Sequence, residues 1–472
     1  MEKVNAMNDK EKDYEDGYKE IEEGDTQVYQ AYLKNAYPSY TLERHLGRGG
    51  FAEVFACRDS NFFDELRAVK VIRLQEFNQD KKMLEIGKIR NEFALQYFFR
   101  DVSVRIYGYP SVDKDDQFFC VSMEIMDGTL RDILKRHHNC FDAVDTVRIM
   151  KEVSLLVEKL HNNKEPLPES IRMEHTDTSV AHFDLKPENI FYKTEHGKLQ
   201  FKLGDYGCSR LADATQSRIR GTEKYMSLTP SEEPGCARDI YALGIIMMEL
   251  QGAEISLQER FEPQTMWEHT EVPVDRDLRD ICRKACSRHP EERYTIDEFI
   301  QELDHWLEAH ADDVLIKEGD VDALLRKAAS LVGSEDAEKY YEAAAEKGSG
   351  KAAYCLYQLL KDMDPERAEE FLEKAEKMNY APAVNEYVCK KIKDMGPDGS
   401  LQDMAETAEL LRPVSSELPA AAYNLALFMK VGMIAEKSEG EADQLLKKAA
   451  DSHFQAAVRL VDVLNHKITI QE

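Results

Sequence analysis

The sequence predicts an α+β chain: a domain with a β-rich first lobe and a helical second lobe, followed by an all-α solenoid of helical hairpins. Three observations carry that reading. Short alternating apolar runs surround a Gly cluster in residues 40–73, helical periodicity takes over beyond Gly128, and a small-residue phrase recurs from about Val314 onward. Length agrees, because 472 residues at ~150 per domain allow about three units, or two with one large.

Residues 1–36 hold ten acids against five lysines, and only Val28, Tyr29, Tyr32 and Leu33 form a short amphipathic turn. The expectation is an acidic, disordered tail whose end is a candidate for docking on the next domain. From Tyr40, TLERHLGRGGFAEVFACRD and RAVKVIRL read as strand, turn, strand, strand, with β-branched and aromatic residues alternating around the glycines. MLEIGKIRNEFALQYFF carries a helical period and QFFCVSMEIM returns to strand. After Gly128 the runs TLRDILKRH, DTVRIMKEVSLLVEKLHN, DIYALGIIMMEL and LRDICRKACSRH are all helical in pattern. An extra stretch, Asn163 to Thr178, reads as a surface loop. The first domain is expected over 40–307 and a connection over 308–319.

The last region has no strand signal. EAAAEKGSGKAAYCL, EKAEKMNYAPAVNEY, ELPAAAYNLAL and KKAADSHFQAAVRLV place small residues before an apolar face, with Ala353, Ala383, Ala422 and Ala457 spaced by 30, 39 and 35 residues. Such periods, with Ala at close crossings, imply stacked helical hairpins; an ordinary Ala-rich bundle is the alternative. Over 320–466 the pattern resembles Sel-one-like, tetratricopeptide-like repeats, which implies a surface for protein or peptide partners.

Composition excludes several classes. Lys and Arg total 62 against 90 Asp and Glu, a net charge of −28, while 43% hydrophobic residues suffice to build cores. Nucleic acid and anionic membrane surfaces both call for a basic face, so neither is an expected partner. A small phosphate ligand is the exception, since backbone N–H groups, one Lys and a metal ion can hold it within an acidic protein. No apolar run approaches the ~20 residues that cross a bilayer. The first residues lack the apolar core of a signal peptide, so the expected location is the cytoplasm. The nine Cys are scattered and never spaced Cys-x-x-Cys; even Cys282 and Cys286, on one helical face, lack a matching pair. They read as idle thiols of a reducing compartment.

Gly47-Arg48-Gly49-Gly50-Phe51-Ala52-Glu53-Val54 lies between two expected strands, where glycines let the backbone approach phosphate oxygens. Sixteen residues after Val54 stands Lys70, a cation on an apolar strand that calls for a buried anionic partner. The strongest segment is His182-Phe183-Asp184-Leu185-Lys186-Pro187-Glu188-Asn189, followed by Gly204-Asp205-Tyr206-Gly207. Phosphoryl transfer needs hard oxygen ligands for a metal, a carboxylate to orient the attacking hydroxyl and a cation near the moving phosphate. Asp184, Lys186, Asn189 and Asp205 supply that set within 22 positions.

On these residues the chain from about 40 to 307 resembles a eukaryotic-type protein kinase domain, with a two-lobed fold of β-rich N-lobe and helical C-lobe. The resemblance implies ATP and Mg²⁺ as cofactors. Gly47, Gly49 and Gly50 would lie in the loop over the phosphates, although Ala52 replaces the family's third Gly. Lys70 would bind the α- and β-phosphates, held by Glu92, with Glu85 the alternative partner if the helix register shifts. Asp184 would be the catalytic base, Lys186 would neutralise the γ-phosphate, and Asn189 with Asp205 would hold Mg²⁺. Met123 matches the gatekeeper and Glu124 to Met126 the hinge, with Leu46, Val54, Ala68 and Phe191 around the base. Lys-Pro-Glu-Asn after Asp184 resembles serine/threonine kinases, so protein substrates bearing Ser or Thr are implied. Gly221-Thr222 and Tyr225-Met226 resemble the loop that receives the substrate, and Asp239 and Arg293 match anchors of the helical lobe.

Departures from the pattern are informative. Phe183 replaces the Arg before the catalytic Asp, removing the cation that receives a phosphorylated loop, so activation through Thr215, Ser217 or Thr222 is less expected. Ser227-Leu228-Thr229 replaces Ala-Pro-Glu, leaving Arg293 to find another carboxylate, with Glu232 and Glu233 the candidates. Gln96 stands where the family packs an apolar side chain, and Tyr206 replaces Phe. A pseudokinase scaffold is the alternative function; survival of Lys70, Asp184, Lys186, Asn189 and Asp205 favours an active enzyme.

Overall fold

The computed structural model describes residues 29, 33–34, 37–48, 52–74, 82–112, 118–138, 140–168, 178–211, 222–227, 233–253, 276–331, 336–396, 399–438 and 440–469. The chain folds as two compact units, one up to His310 and one from Ala311.

The first unit opens with an antiparallel sheet of order β1-β2-β3-β5-β4, built from β1 (Tyr40–Arg48), β2 (Ala52–Asp59), β3 (Glu65–Arg73), β4 (Ile106–Val112) and β5 (Phe118–Glu124). Helix α1 (Lys82–Phe98) follows β3. Alternation decides which residues face what. Ile72, Phe119 and Val121 share a core with Ile86, Ile89 and Phe93 of α1, which recur at helical spacing. On the opposite face Phe55, Val69, Val71, Phe118 and Cys120 are covered by Tyr29 and Leu33. Both are under 7% exposed, and the Tyr29 ring lies 5.0 Å from that of Phe55. The end of the acidic segment therefore docks on the sheet. Burying each of these two side chains stabilises the lobe by about 1.5–3 kcal/mol. Tyr37 is tied to β5: its hydroxyl donates to the Cys120 carbonyl and accepts from the Ser122 N–H, both at 3.2 Å.

The helical lobe contains α2 (Leu130–Arg136), α3 (Ala143–His161), α4 (Gly235–Leu250), α5 (Arg276–Ala285) and α6 (Ile296–Ala309). Capping residues mark their starts: Thr129 with Asp132, Asp142, and Thr295 with Glu298. Helix α4 is apolar nearly all round and is correspondingly buried along its length. Between α3 and α4 run β7 (Val180–Ala181), β8 (Ile190–Glu195), β9 (Lys198–Leu203) and β10 (Arg210–Leu211), while β6 (Gly128–Thr129) pairs with β8. The ends of the extra stretch are tied together: Asn163 Nδ2 donates to the Thr178 carbonyl at 2.8 Å and Thr178 Oγ1 to the Asn163 carbonyl at 2.6 Å. Its middle lies outside the described residues.

Arg293 does find another carboxylate. Its guanidinium makes a forked pair with Glu233 at 2.8 and 3.1 Å, with side chains 1% and 2% exposed. Ser227, which stands at the family's Ala, donates to the same carboxylate at 2.6 Å. Glu232, Leu228 and Thr229 lie outside the described residues.

The second unit is helical throughout its described residues: α7 (Ala311–Glu318), α8 (Val321–Ser330), α9 (Asp336–Glu346), α10 (Gly350–Leu360), α11 (Pro365–Lys377), α12 (Ala381–Met395), α13 (Leu401–Glu409), α14 (Leu411–Val414), α15 (Pro419–Lys430), α16 (Glu441–Asp451) and α17 (Gln455–Thr469). Helix α7 takes up most of the expected connection. From α8 onward each helix packs on the next, and α12 also touches α10 and α15. Ala353, Ala383, Ala422 and Ala457 are fully buried, so the recurring small residues face the apolar interior between the helices. Asp320, Ser349, Asp364 and Ser400 cap helix starts with their side chains.

Candidate active site

Period-2 alternation on β3 turns Lys70 toward α1, the same side as Ala68 and Ile72. Its Nζ lies 3.1 Å from Glu92 Oε1 and 4.0 Å from Asp205 Oδ1. Burial alone works against a charged Lys70, but the carboxylates of Glu92 and then Asp205 outweigh it and keep the ammonium protonated. The Lys70 charge in turn holds the Asp205 carboxyl below its ordinary value, so the half-exposed side chain stays ionised. Glu92 is thus the partner; the Glu85 side chain lies outside those described. Gln96, one turn further along α1, is buried and donates to the Val104 carbonyl at 2.7 Å, which replaces the apolar packing of the family pattern with a hydrogen bond.

Asp239 of α4 accepts the N–H groups of His182 at 2.6 Å and Phe183 at 2.8 Å, fixing the turn into Asp184. Phe183 itself sits at φ 66°, a left-handed conformation that a bulky residue holds only under tight constraint. The constraint includes Arg238, whose guanidinium lies 4.5 Å over the Phe183 ring. A cation therefore stands beside this position, delivered from α4 instead of from the catalytic loop.

The Asp184 carboxylate is held by four donors. Oδ1 accepts from the Thr222 N–H at 2.6 Å and hydroxyl at 2.8 Å. Oδ2 accepts from Lys186 at 2.9 Å and Asn189 Nδ2 at 3.1 Å. Lys186 also donates to Thr222 Oγ1 at 2.7 Å. Because Asn189 spends its N–H₂ on the Asp184 carboxylate and carbonyl, its Oδ1 is left as an oxygen donor. With the ionised Asp205, it supplies the hard oxygen set that suits Mg²⁺.

Around the expected adenine position, register sets Ala68 opposite Met123 and Val54 opposite Lys70. Leu46, Gly47, Val54, Met123, Met126 and Phe191 are half-buried, as residues lining an open cleft would be, and Ala68 is buried. Glu124 uses its side chain elsewhere, accepting from the Arg105 N–H at 2.6 Å and Lys202 at 2.5 Å, and its own N–H donates to the Arg105 carbonyl at 2.9 Å. At Gly204 any Cβ would come within 2.5 Å of the Phe191 ring, which explains the glycine. Gly49, Gly50, Phe51, Thr215, Ser217 and Gly221 lie outside the described residues.

Sequence reasoning missed the brace under the substrate-side loop. Arg131 forks onto Glu249 at 2.8 and 3.0 Å, donates to Glu188 at 2.8 Å and reaches the Tyr225 hydroxyl at 2.6 Å, which itself donates to Glu249. The one available signal was an acid, Glu249, inside the otherwise apolar run of α4.

The described geometry is therefore a lysine paired with two carboxylates, and a third carboxylate, Asp184, held by four donors. The sequence profile described as "Protein kinase domain" matches residues 40–306, more than half of the chain. The chain belongs to the protein kinase family. Tousled-like 1 serine/threonine-protein kinase of Mus musculus is 23% identical over 286 residues, covering 54% of this chain and 35% of the relative, and that of Homo sapiens matches equally. A probable serine/threonine-protein kinase, PknB, of Lactococcus lactis is 24% identical over 278 residues, covering 54% and 40%. The chain thus spans well under half the length of these kinases.

One further contact steadies the kinase loop. Buried His161 bonds Asp239 Oδ2 at 3.0 Å; burial alone lowers its pKa, but the bonds to Asp239 and Cys236 outweigh this and raise it from 6.5 to about 9. A group with a raised folded pKa contributes stability that is complete below 6.5 and lost as pH rises through about 9. Urea midpoints of the wild type should fall over that interval more steeply than those of His161→Leu. Parallel curves would contradict the pairing.

Proposed function

We propose that the chain is an active serine/threonine protein kinase that transfers the γ-phosphate of ATP to Ser or Thr hydroxyls of protein substrates. The observation that carries the reading is the joined placement of Lys70 against both Glu92 and Asp205, beside an Asp184 already held by Lys186, Asn189 and Thr222.

In this reading Lys70 grips the α- and β-phosphates, and Asn189 Oδ1 and the Asp205 carboxylate hold Mg²⁺. The metal, when bound, neutralises charge on the phosphate oxygens. Asp184 orients the substrate hydroxyl and takes its proton as the oxygen–phosphorus bond forms and the bond to ADP breaks. Lys186 sits beside Asp184 to balance the charge of the moving phosphoryl group. Leu46, Val54, Ala68 and Phe191 enclose adenine, with the backbone of Glu124 to Met126 as its edge. The glycine loop, Gly47 with Gly49 and Gly50, covers the phosphates.

For residues 320–466 the reading is a solenoid of helical hairpins that recruits protein or peptide partners. Support comes from packing of each helix on its sequence neighbour and from burial of the recurring alanines. A cytoplasmic location fits the charge and the thiols.

The acceptor class is tested by labelling a generic protein from γ-labelled Mg²⁺–ATP and identifying the modified residues. Phosphoserine and phosphothreonine are expected. Label confined to tyrosine would overturn the acceptor class, and no label at all would favour the scaffold reading.

A further inference from the structure

Tyr206, next to the expected metal ligand Asp205, carries a hydroxyl into the interior. The ring is 1% exposed and Ser103, at 0%, is its partner, with 2.6 Å between the two oxygens. Ser103 belongs to the short connection between α1 and β4. That connection is already bound to the strand leading into Asp205: the Val104 N–H donates to the Leu203 carbonyl at 2.9 Å and the Leu203 N–H to the Val102 carbonyl at 2.8 Å. Gln96 holds the Val104 carbonyl from α1, one turn beyond Glu92. A continuous set of buried hydrogen bonds therefore runs from the helix that holds Lys70 to the turn that carries Asp205.

Asp205 needs such support. It sits at φ 62°, ψ 68°, a left-handed conformation that costs an L-residue free energy unless its surroundings fix it. The turn also lies close against α1, since a Cβ on Gly207 would come within 3.3 Å of Glu92 Oε2.

We propose that the Ser103–Tyr206 hydrogen bond is a latch that positions the Asp205 carboxylate, so that assembly of the metal site is biased by two buried hydroxyls. The Ser103 hydroxyl is satisfied only while the turn is in place. If the turn swings away, Ser103 is left with an unpartnered buried hydroxyl, which is costly. Tyr206 and Ser103 are positioning residues and touch no reacting atom.

The latch has a signature that simple loss of packing lacks. Ser103→Ala strands the Tyr206 hydroxyl in the closed turn while leaving it free to hydrate in an opened one, so opening is favoured strongly. Tyr206→Phe strands only Ser103, in both states. The double variant strands nothing. Hydrogen–deuterium exchange of the Leu203–Ser209 amides should therefore be fastest in Ser103→Ala, about five- to thirtyfold over the wild type, and slower again when Tyr206→Phe is added. The kinetic counterpart rests on the kinase reading above: the KM for Mg²⁺–ATP should rise several-fold in Ser103→Ala with kcat within about twofold, and fall back in the double variant. Exchange that is unchanged in both single variants, or a double variant that opens faster than Ser103→Ala, overturns the latch. A wild type that transfers no phosphate would instead sink the kinase reading, and the exchange result would still judge the latch.

Discussion

Replacing Asp184 by Asn should lower phosphoryl transfer by on the order of 10²- to 10⁴-fold with the fold intact. The carboxylate is fixed by Thr222, Lys186 and Asn189, so it is oriented before substrate arrives. Asn keeps the size and one acceptor oxygen but cannot take up the substrate proton. Because Lys70, Glu92 and Asp205 are untouched, Mg²⁺–ATP affinity should change little, and the loss should appear in kcat. Calorimetric binding of Mg²⁺–ATP beside steady-state transfer separates the two; retention of most of kcat would remove Asp184 from the role of base.

The second large effect is on stability. Glu233→Gln should destabilise the kinase domain by about 3–5 kcal/mol, because a buried Arg293 loses its countercharge while staying buried. Both side chains are almost wholly excluded from water, and the pair is forked. A loss of that size is a large part of the ~5–15 kcal/mol that holds a typical domain together. Replacing both partners by apolar residues of similar volume should recover part of it, since no charge is then stranded. Denaturant midpoints of the single and double variants test this, and a Glu233→Gln midpoint equal to wild type would mean that Arg293 is satisfied otherwise.

What could be read from the sequence, and what could not, follows from distance along the chain. Asp184, Lys186 and Asn189 lie within one loop, so the chemistry dictates their spacing and the spacing is visible. The choice of Glu92 over Glu85 needed only the helical register of α1. Arg131 with Glu249 and Ser103 with Tyr206 are separated by 118 and 103 residues, and no local pattern announces such pairs. Each replaces or supports a family feature through a side chain from another element, as Arg238 does over Phe183. Glu233 was foreseeable as a candidate only because burying Arg293 without a carboxylate is costly. The docking of Tyr29 and Leu33 was half-hidden: their spacing of four suits one helical face, but the surrounding acids dominate the composition. Their partner surface is itself assembled from β2, β3 and β5, the last of which follows only after α1 and β4. In the second unit the recurring alanines are all buried, as small residues on an apolar face should be, while their irregular spacing obscured the boundaries between helices.

The most direct measurement is incorporation of phosphate from γ-labelled ATP with Mg²⁺ into a generic protein by the full chain and by its Asp205→Asn variant. Asp205 is the ionised, half-exposed carboxylate 4.0 Å from Lys70, so its neutral counterpart should fold normally yet transfer at a small fraction of the wild-type rate. Equal incorporation by the two proteins would contradict the assignment of the site.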